Sequence, residues 1–283
     1  MAIATLIAAG ALDDRLVAEA ADRLGGGTAK WLDAGDAAAV VTSFSVDDAR
    51  DALRDLGGAD VIVVPDDFRP ALFVADMDST MIGQESIDEL AAEAGVGERV
   101  AAITERAMRG ELDFAAALQE RLALLEGLPV STIDHLLDTR IRPNPGAAAL
   151  IATLKARGVR TMLVSGGFTA FADVVSRGLG FDRVVANRLG VASGRLTGAV
   201  DGALIDSAAK LALLQAESAA IGGHSIAIGD GANDMPMIAA ADLGIAYRAK
   251  PKVAAAADAR IDIGGLDALL WGLGIAKADW VVR

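Results

Sequence analysis

From Pro145 onward, short apolar runs alternate with helical patterns, and this alternation restricts the fold more than any other feature of the chain. The pattern predicts helix 146–157, strand 159–164, helix 169–179 and strand 183–186. A Gly-rich hairpin at 189–200 follows, then helix 206–220, strand 225–229, helix 232–240 and strand 242–246. Strands that are apolar throughout, with helices between them, are buried on both faces, which requires a parallel sheet covered on either side. One more apolar strand, Ala71 to Ala75, lies upstream. Residues 84 to 140 separate it from the alternating block and hold only helical patterns. There Ser86-Ile87-Asp88-Glu89 reads as a capping box, and Asp113 and Ser131 as further helix caps. The fold class predicted is α/β: a parallel sheet with a helical cap inserted at about 84–142.

The first 64 residues have a different rhythm. Ile3 to Ala8 reads as a strand and Asp14 to Leu24 as a helix. Two short strands flank the turn Asp33-Ala34-Gly35-Asp36, helix Val46 to Leu56 follows, and Ala59 to Val64 is again a strand. The order βαββαβ predicts a small ferredoxin-like α+β domain. Two prolines and paired acids in Pro65-Asp66-Asp67-Phe68-Arg69-Pro70 mark a linker. The expected division is therefore 1–69 and 70–283, and a length of 283 residues agrees with two units.

Charge and composition exclude several function classes. With 26 basic and 39 acidic residues the net charge is −13, which disfavours nucleic acid and anionic membranes as partners. It also means that any phosphate site must be locally positive. The absence of cysteine removes disulfides, thiolate nucleophiles and thiolate metal sites, and fits a reducing compartment. The apolar start MAIATLIAAG lacks a positive flank and a clear cleavage site, and no stretch reaches the length of a membrane span. The expectation is a cytoplasmic protein.

Four segments carry chemistry. In FVADMDSTMI, an apolar strand runs into Asp76 and Asp78. Open parallel sheets bind ligands at the carboxyl ends of their strands, and two carboxylates this close need a cation between them or a shared proton. Mg²⁺ would suit their oxygen donors; a solvated Asp-x-Asp turn is the plainer alternative. In MLVSGGF, a strand runs into Ser165 and Gly166, whose hydroxyl and main-chain N–H would cradle a phosphate, or which simply form a tight turn. In AIGDGANDMPMI, Asp230, Asn233 and Asp234 meet at one more strand end. Asp230 is better read as a metal carboxylate, while Asp234 is also placed as a helix N-cap. Lys210 stands in an apolar helix, either as a surface residue lying along its own stem or as a point charge among carboxylates. His135 and His224 match no motif and read as structural.

Taken together and in this order, the four segments resemble the motif set of the haloacid-dehalogenase-like phosphohydrolases. DMDSTMIGQESID (Asp76 to Asp88), SGGF (Ser165 to Phe168) and GDGANDMPM (Gly229 to Met237) are most similar to the phosphoserine phosphatase family, over roughly residues 71 to 263. The resemblance implies a Rossmann-like sheet, and an N-terminal domain of the ACT-like kind that some bacterial members carry. It implies that Asp76 is the nucleophile, forming an aspartyl-phosphate, and that Asp78 is the general acid and then base. Mg²⁺ would be held by the Asp76 carboxylate, the Asp78 carbonyl and Asp230, with Asp234 supporting that shell. Ser165, Gly166 and Asn233 would face phosphate or substrate, and Lys210 would neutralise charge at both nucleophile and phosphate.

The same resemblance places the substrate's ammonium on Glu85 and its carboxylate on Arg121. Phe114, Leu118 and Arg121 share one helical face; the plainer alternative pairs Arg121 with Glu120 or Glu126 on a solvated face. Met77 replaces the phenylalanine frequent in the family. The implied reaction is Mg²⁺-dependent hydrolysis of O-phospho-L-serine, the last step of serine biosynthesis. Two alternatives stand beside it: a phosphatase or phosphotransferase for another small phosphometabolite, and a catalytically silent phospho-amino-acid sensor. A homodimer and an amino-acid effector at the N-terminal domain are left open.

Overall fold

In a computed structural model, which describes residues 1–109 and 111–282, two sheets organise the chain. The N-terminal sheet contains β1 (Ala2–Ile7), β2 (Thr28–Asp33), β3 (Ala37–Thr42) and β4 (Asp60–Pro65), with α1 (Asp14–Arg23) and α2 (Val46–Leu53) in the crossovers. Its strand order is β2-β3-β1-β4 and its pairs are antiparallel. Alternation along the strands sends Leu6, Ala38, Val40 and Val63 into a core with Leu16, Val17, Ala20 and Leu53 of the two helices. Asp13 and Ser45 cap those helices by accepting the main-chain N–H groups of Leu16 and Asp48.

The second sheet has six parallel strands in the order β12-β11-β10-β5-β6-β7. They are β5 (Pro70–Ala75), β6 (Arg160–Phe168), β7 (Arg183–Asn187), β10 (His224–Gly229), β11 (Leu243–Tyr247) and β12 (Ala259–Ile261). Between β5 and β6 lie α3 (Ser86–Glu93), α4 (Gly97–Met108), α5 (Phe114–Ala123), α6 (Ser131–Thr139) and α7 (Ala147–Ala156). The first four form the helical cap, and the hairpin β8 (Leu189–Ala192) and β9 (Arg195–Val200) lies against it through the bridge Pro129–Arg195. The remaining helices are α8 (Thr169–Leu179), α9 (Ser207–Ile221), α10 (Met235–Ala240), α11 (Pro251–Ala254) and α12 (Ala268–Gly272). The α/β class and the helical insertion agree with expectation.

The chain runs from β5 outward to β7, then returns to the other side of β5 at β10. Neighbouring β5 and β10 thus flank the point where the winding reverses. Connections leave these two strands on opposite faces, so a crevice opens at their carboxyl ends. Asp76 and Asp230 stand there.

Two helix starts differ from expectation. Ser86 does not cap α3: Glu85 occupies the cap position, without a side-chain cap bond, and the Ser86 hydroxyl is engaged by Asp78. Ser131 lies inside α6, whose cap position is Val130. In both places a local capping rule loses to a different chain path.

The two sheets are tied by acids that accept main-chain N–H groups. Asp60, buried at the start of β4, accepts from Asp262 (2.9 Å), Ile263 (3.1 Å) and Gly264 (2.7 Å). Asp33 accepts from the Trp271 indole (2.6 Å) and the Lys277 N–H (2.7 Å). Arg50 donates to Asp258 at 2.6 Å. Between the sheets the chain is held by Phe68, which is buried and stacks on His224 at 4.7 Å. Asp60→Asn turns an NH₂ toward this row of donors. It is expected to cost about 2 kcal/mol, as for hydrogen bonds to a charged group, and to lower the melting temperature by about 5 °C in a chain this long. A thermal melt of the variant with unchanged stability would remove Asp60 from the docking.

Candidate active site

Asp76 leaves the end of β5 with its N–H on the carbonyl of Ile228 in β10 (3.0 Å), which fixes it beside that strand. Its side chain is 5% exposed. Oδ1 accepts the Met77 N–H at 2.8 Å and faces the Lys210 Nζ at 2.7 Å. Fully buried Met77 anchors the chain in the core. The backbone then reverses through Ser79, at φ 56°, a left-handed conformation uncommon outside glycine. Two bonds hold this turn: Ser79 N–H to Gln84 O (3.2 Å) and Asn144 Nδ2 to Thr80 O (2.7 Å). The turn puts Asp78 under the cap. One of its oxygens, Oδ2, accepts the Ser86 hydroxyl at 2.8 Å. The other, Oδ1, is buried and has no hydrogen-bond partner among the described residues.

Lys210 has no exposed surface. Asp206 caps α9 by accepting the Ala209 N–H, so the lysine enters from the helix's first turn. Its Nζ lies 2.7 Å from Asp76 and 2.6 Å from Asp234. Asp234 is fully buried; it also accepts the Gly231 N–H (3.1 Å) and the Asn233 amide (3.3 Å). Asp234 does stand at the N-cap position of α10, but its side chain makes no cap bond there and is turned to Lys210 instead. Surface placement of Lys210 falls away.

The acids here are pushed toward their neutral forms. Burial, then the charge of Asp234, raises Asp76 well above the usual carboxylate range, against the pull of Lys210. Burial first, and Asp234 and Glu85 next, push Asp230 up to about 6. Burial, followed by Glu85, pushes Asp78 up to about 7, opposed by its bond to Ser86. A carboxyl at about 7 can both give and take a proton near neutrality. One carboxylate oxygen each from Asp76, Asp230 and Asp234 lie within 4.8 Å of one another. The donors are all hard oxygens around an excess of negative charge, which fits a small divalent cation such as Mg²⁺. Thr80 adds a hydroxyl 3.3 Å from Asp230.

β6 brings the glycine turn to the same place. Ser165 is buried, and its Oγ accepts the Gly167 N–H at 2.8 Å, which leaves the hydroxyl proton for another acceptor. Asn187 holds the turn from behind, donating to the Gly166 carbonyl (2.8 Å) and accepting the Ile205 N–H (2.8 Å). A Cβ on Gly166 would lie 3.4 Å from the Phe114 ring, so α5 lies directly over the turn.

Above this cradle the cap supplies both signs of charge. The Glu85 carboxylate accepts the Ser79 hydroxyl at 2.6 Å. Burial raises its pKa most, and the charges of Arg121 and Lys250 lower it. Arg121 is lowered by burial and supported by Asp88 and Glu85. Its Nε donates to the Ala117 carbonyl at 3.2 Å, while Glu120 pairs with Arg106 at 2.8 Å. The pairing of Arg121 with Glu120 is therefore not formed. All ten residues singled out in the sequence fall on the strand ends, turns and helices around this crevice. Ser86, Thr80, Asn187 and Asp88 join them without having been singled out for it. Of these, Thr80, Ser86 and Asp88 lie in a quoted motif and only Asn187 does not.

Comparison with known proteins agrees with this geometry. Sequence profiles of the haloacid dehalogenase-like hydrolases match residues 73–239 and 216–264. A phosphoserine phosphatase of Streptomyces coelicolor is 46% identical over 211 residues, covering 74% of this chain and 51% of that protein. The chain thus spans about half the length of curated relatives such as this one. A phosphoserine phosphatase of Polaromonas sp. is 46% identical over 207 residues, covering 70% of this chain and 88% of the relative. A crystal structure of a probable phosphoserine phosphatase from Vibrio cholerae, in unliganded form, superposes with a TM-score of 0.77 at 34% identity, covering 98% of this chain and 87% of that one. Among the described residues no helix is long and apolar enough to cross a membrane. Motifs, topology and relatives agree: the chain belongs to the phosphoserine phosphatase family of the haloacid dehalogenase-like hydrolases.

Proposed function

We propose that the protein hydrolyses O-phospho-L-serine to L-serine and phosphate, the last step of serine biosynthesis, with Mg²⁺ as cofactor. The observation that carries this reading is the pairing of two unlike carboxyls at the β5 end: Asp76 braced by a buried lysine, Asp78 with one buried oxygen unengaged. Asp76 attacks phosphorus, and the bond from phosphorus to the serine oxygen breaks. The Asp78 carboxyl gives its proton to that oxygen, so serine leaves neutral. Asp78, now ionised, takes a proton from water as the water oxygen attacks phosphorus. The bond from phosphorus to Asp76 breaks, and phosphate and the free carboxylate result. The Asp76 and Asp230 carboxylates and the Asp78 main-chain carbonyl would hold Mg²⁺, with Asp234 behind them. When bound, the ion supplies positive charge against the transferring phosphoryl oxygens. Ser165, the Gly166 N–H, Asn233 and Lys210 bind those oxygens and offset their charge.

Serine itself is read by Glu85, facing the ammonium, and Arg121, facing the carboxylate. The family names of the relatives support this choice of substrate. Phosphate release from L-phosphoserine, phosphothreonine, phosphoethanolamine and an aryl phosphate, with and without Mg²⁺, tests it. Metal-dependent turnover that favours L-phosphoserine is expected; an aryl phosphate turned over equally well would remove the substrate assignment. Arg121→Met sharpens the test, because phosphoethanolamine has no carboxylate to lose. The variant's KM for phosphoserine is expected to rise about 10- to 100-fold, the worth of a charge-assisted bond. Its KM for phosphoethanolamine should barely change. Equal rises on both substrates would take Arg121 off the carboxylate.

A further inference from the structure

We propose that Ser86, the first residue of the first cap helix, is a positioning residue that assigns separate tasks to the two oxygens of Asp78. The inference rests on the reading of Asp78 as the acid and base of the reaction.

A carboxyl that must give and then take a proton along one direction needs a fixed orientation, yet an aspartate's terminal torsion is broad and roughly two-fold. Without a restraint the two oxygens exchange places. Here Oδ2 accepts the Ser86 hydroxyl at 2.8 Å, and Oδ1 has no hydrogen-bond partner among the described residues. Because Ser86 donates, Oδ2 acts as an acceptor only. The transferable proton therefore belongs on Oδ1, the oxygen free to meet the leaving group and later the water.

Two further observations single out this bond. Ser86 is fully buried, and α3 begins with no side-chain cap although a serine stands at its start. The hydroxyl serves a tertiary acceptor rather than the helix. Gly167 then walls the pair. A Cβ built on it would lie 2.6 Å from Asp78 Oδ2 and 3.0 Å from both Ser86 Oγ and Ser165 Oγ. The backbone of the phosphate turn thus closes directly onto the bonded pair of Asp78 and Ser86, with no room for a side chain between them. The carboxyl sits between the cap and the phosphate cradle, with its orientation set by both.

The test uses the full chain with Mg²⁺ and two variants, Ser86→Ala and Ser86→Thr. Serine leaves poorly as an alkoxide and needs its proton from Asp78, whereas a nitrophenolate leaves without one. For Ser86→Ala, kcat on phosphoserine is expected to fall about 10-fold or more, the scale lost when a supporting bond to a catalytic group is removed. KM should change little. Phosphorylation of the enzyme by p-nitrophenyl phosphate, read as the nitrophenolate burst in a single turnover, should stay within about 3-fold of the parent, since general-acid help is not needed there. Ser86→Thr keeps the hydroxyl and should restore most of the lost kcat. Equal losses on both leaving groups, a change confined to KM, or equal losses for alanine and threonine would each overturn the proposal. If the parent enzyme does not favour phosphoserine, the substrate reading fails by itself. The same split is then read with glycerol phosphate as the alkyl ester.

Discussion

Asp76→Asn is expected to abolish phosphate release while leaving the protein folded. The substitution keeps size and shape, and an amide oxygen can still accept the Met77 N–H and the Lys210 ammonium that now meet Oδ1. It removes one of two buried like charges, since Asp234 stands across the same lysine. Stability should therefore be unchanged or slightly raised. What disappears is the nucleophile. An amide oxygen is a poor nucleophile, and the other strand-end carboxylate, Asp230 after β10, belongs to the acid cluster that would hold the metal. Loss of a covalent nucleophile costs at least about 10⁴-fold in kcat where it has been measured in other hydrolases. Two readouts check this: phosphate release at saturating phosphoserine, and mass spectrometry of the acid-quenched enzyme. The parent should yield a phosphorylated peptide containing Asp76 and the variant none. A label on another residue, or a variant keeping a tenth of its activity, would move the nucleophile elsewhere.

The site was readable where chemistry coincides with strand ends. Asp76, Asp230 and Ser165 each follow an apolar run, and a parallel sheet has one edge on which such residues converge. Lys210 was harder to place. Its neighbours in α9 are apolar on nearly every side, so periodicity could not tell a buried lysine from a surface one; only the motif order favoured the site. Ser86 was misplaced for a physical reason. S-x-x-E before an apolar stretch satisfies the local capping rule, and nothing local reveals that a carboxylate eight residues upstream takes the hydroxyl. The contacts that dock the N-terminal sheet were invisible for the same reason. Asp33 and Asp60 look like solvated acids at strand ends, and their main-chain N–H partners, Lys277 for the first and Asp262 to Gly264 for the second, lie more than 200 residues away. Side-chain type carries no information about a main-chain partner at that distance.

Lys210→Met tests the electrostatic foundation of the site. The side chain is fully buried between Asp76 and Asp234, and its pKa is raised above the usual lysine value by those two carboxylates, outweighing burial. Methionine fills a similar volume, so the change removes charge with little cavity. Two buried carboxylates then face each other with no cation between them. Breaking a buried ion pair from one side costs about 3–5 kcal/mol, or roughly 10 °C or more in melting temperature for a chain of this length. The deficit has a sign in pH. Burial and Asp234 already hold the Asp76 pKa above its unfolded value, and Lys210 is what pulls it down. Without the lysine that pKa rises further, so the folded variant binds a proton that the unfolded chain releases. A group of this kind favours the folded state at low pH and loses that contribution as pH rises through its folded pKa. In chelator, the gap in stability between parent and variant should therefore be widest at pH 7–8 and shrink toward pH 5. Added Mg²⁺ should raise the variant's melting temperature more than the parent's, because the cation replaces the missing charge. Activity should fall by at least about 10³-fold, since the phosphoryl group loses a fixed positive charge and the nucleophile takes up a proton. A variant as stable as the parent across this pH range would mean that the two aspartates do not depend on Lys210. The lysine would then be left with a role at the phosphate alone.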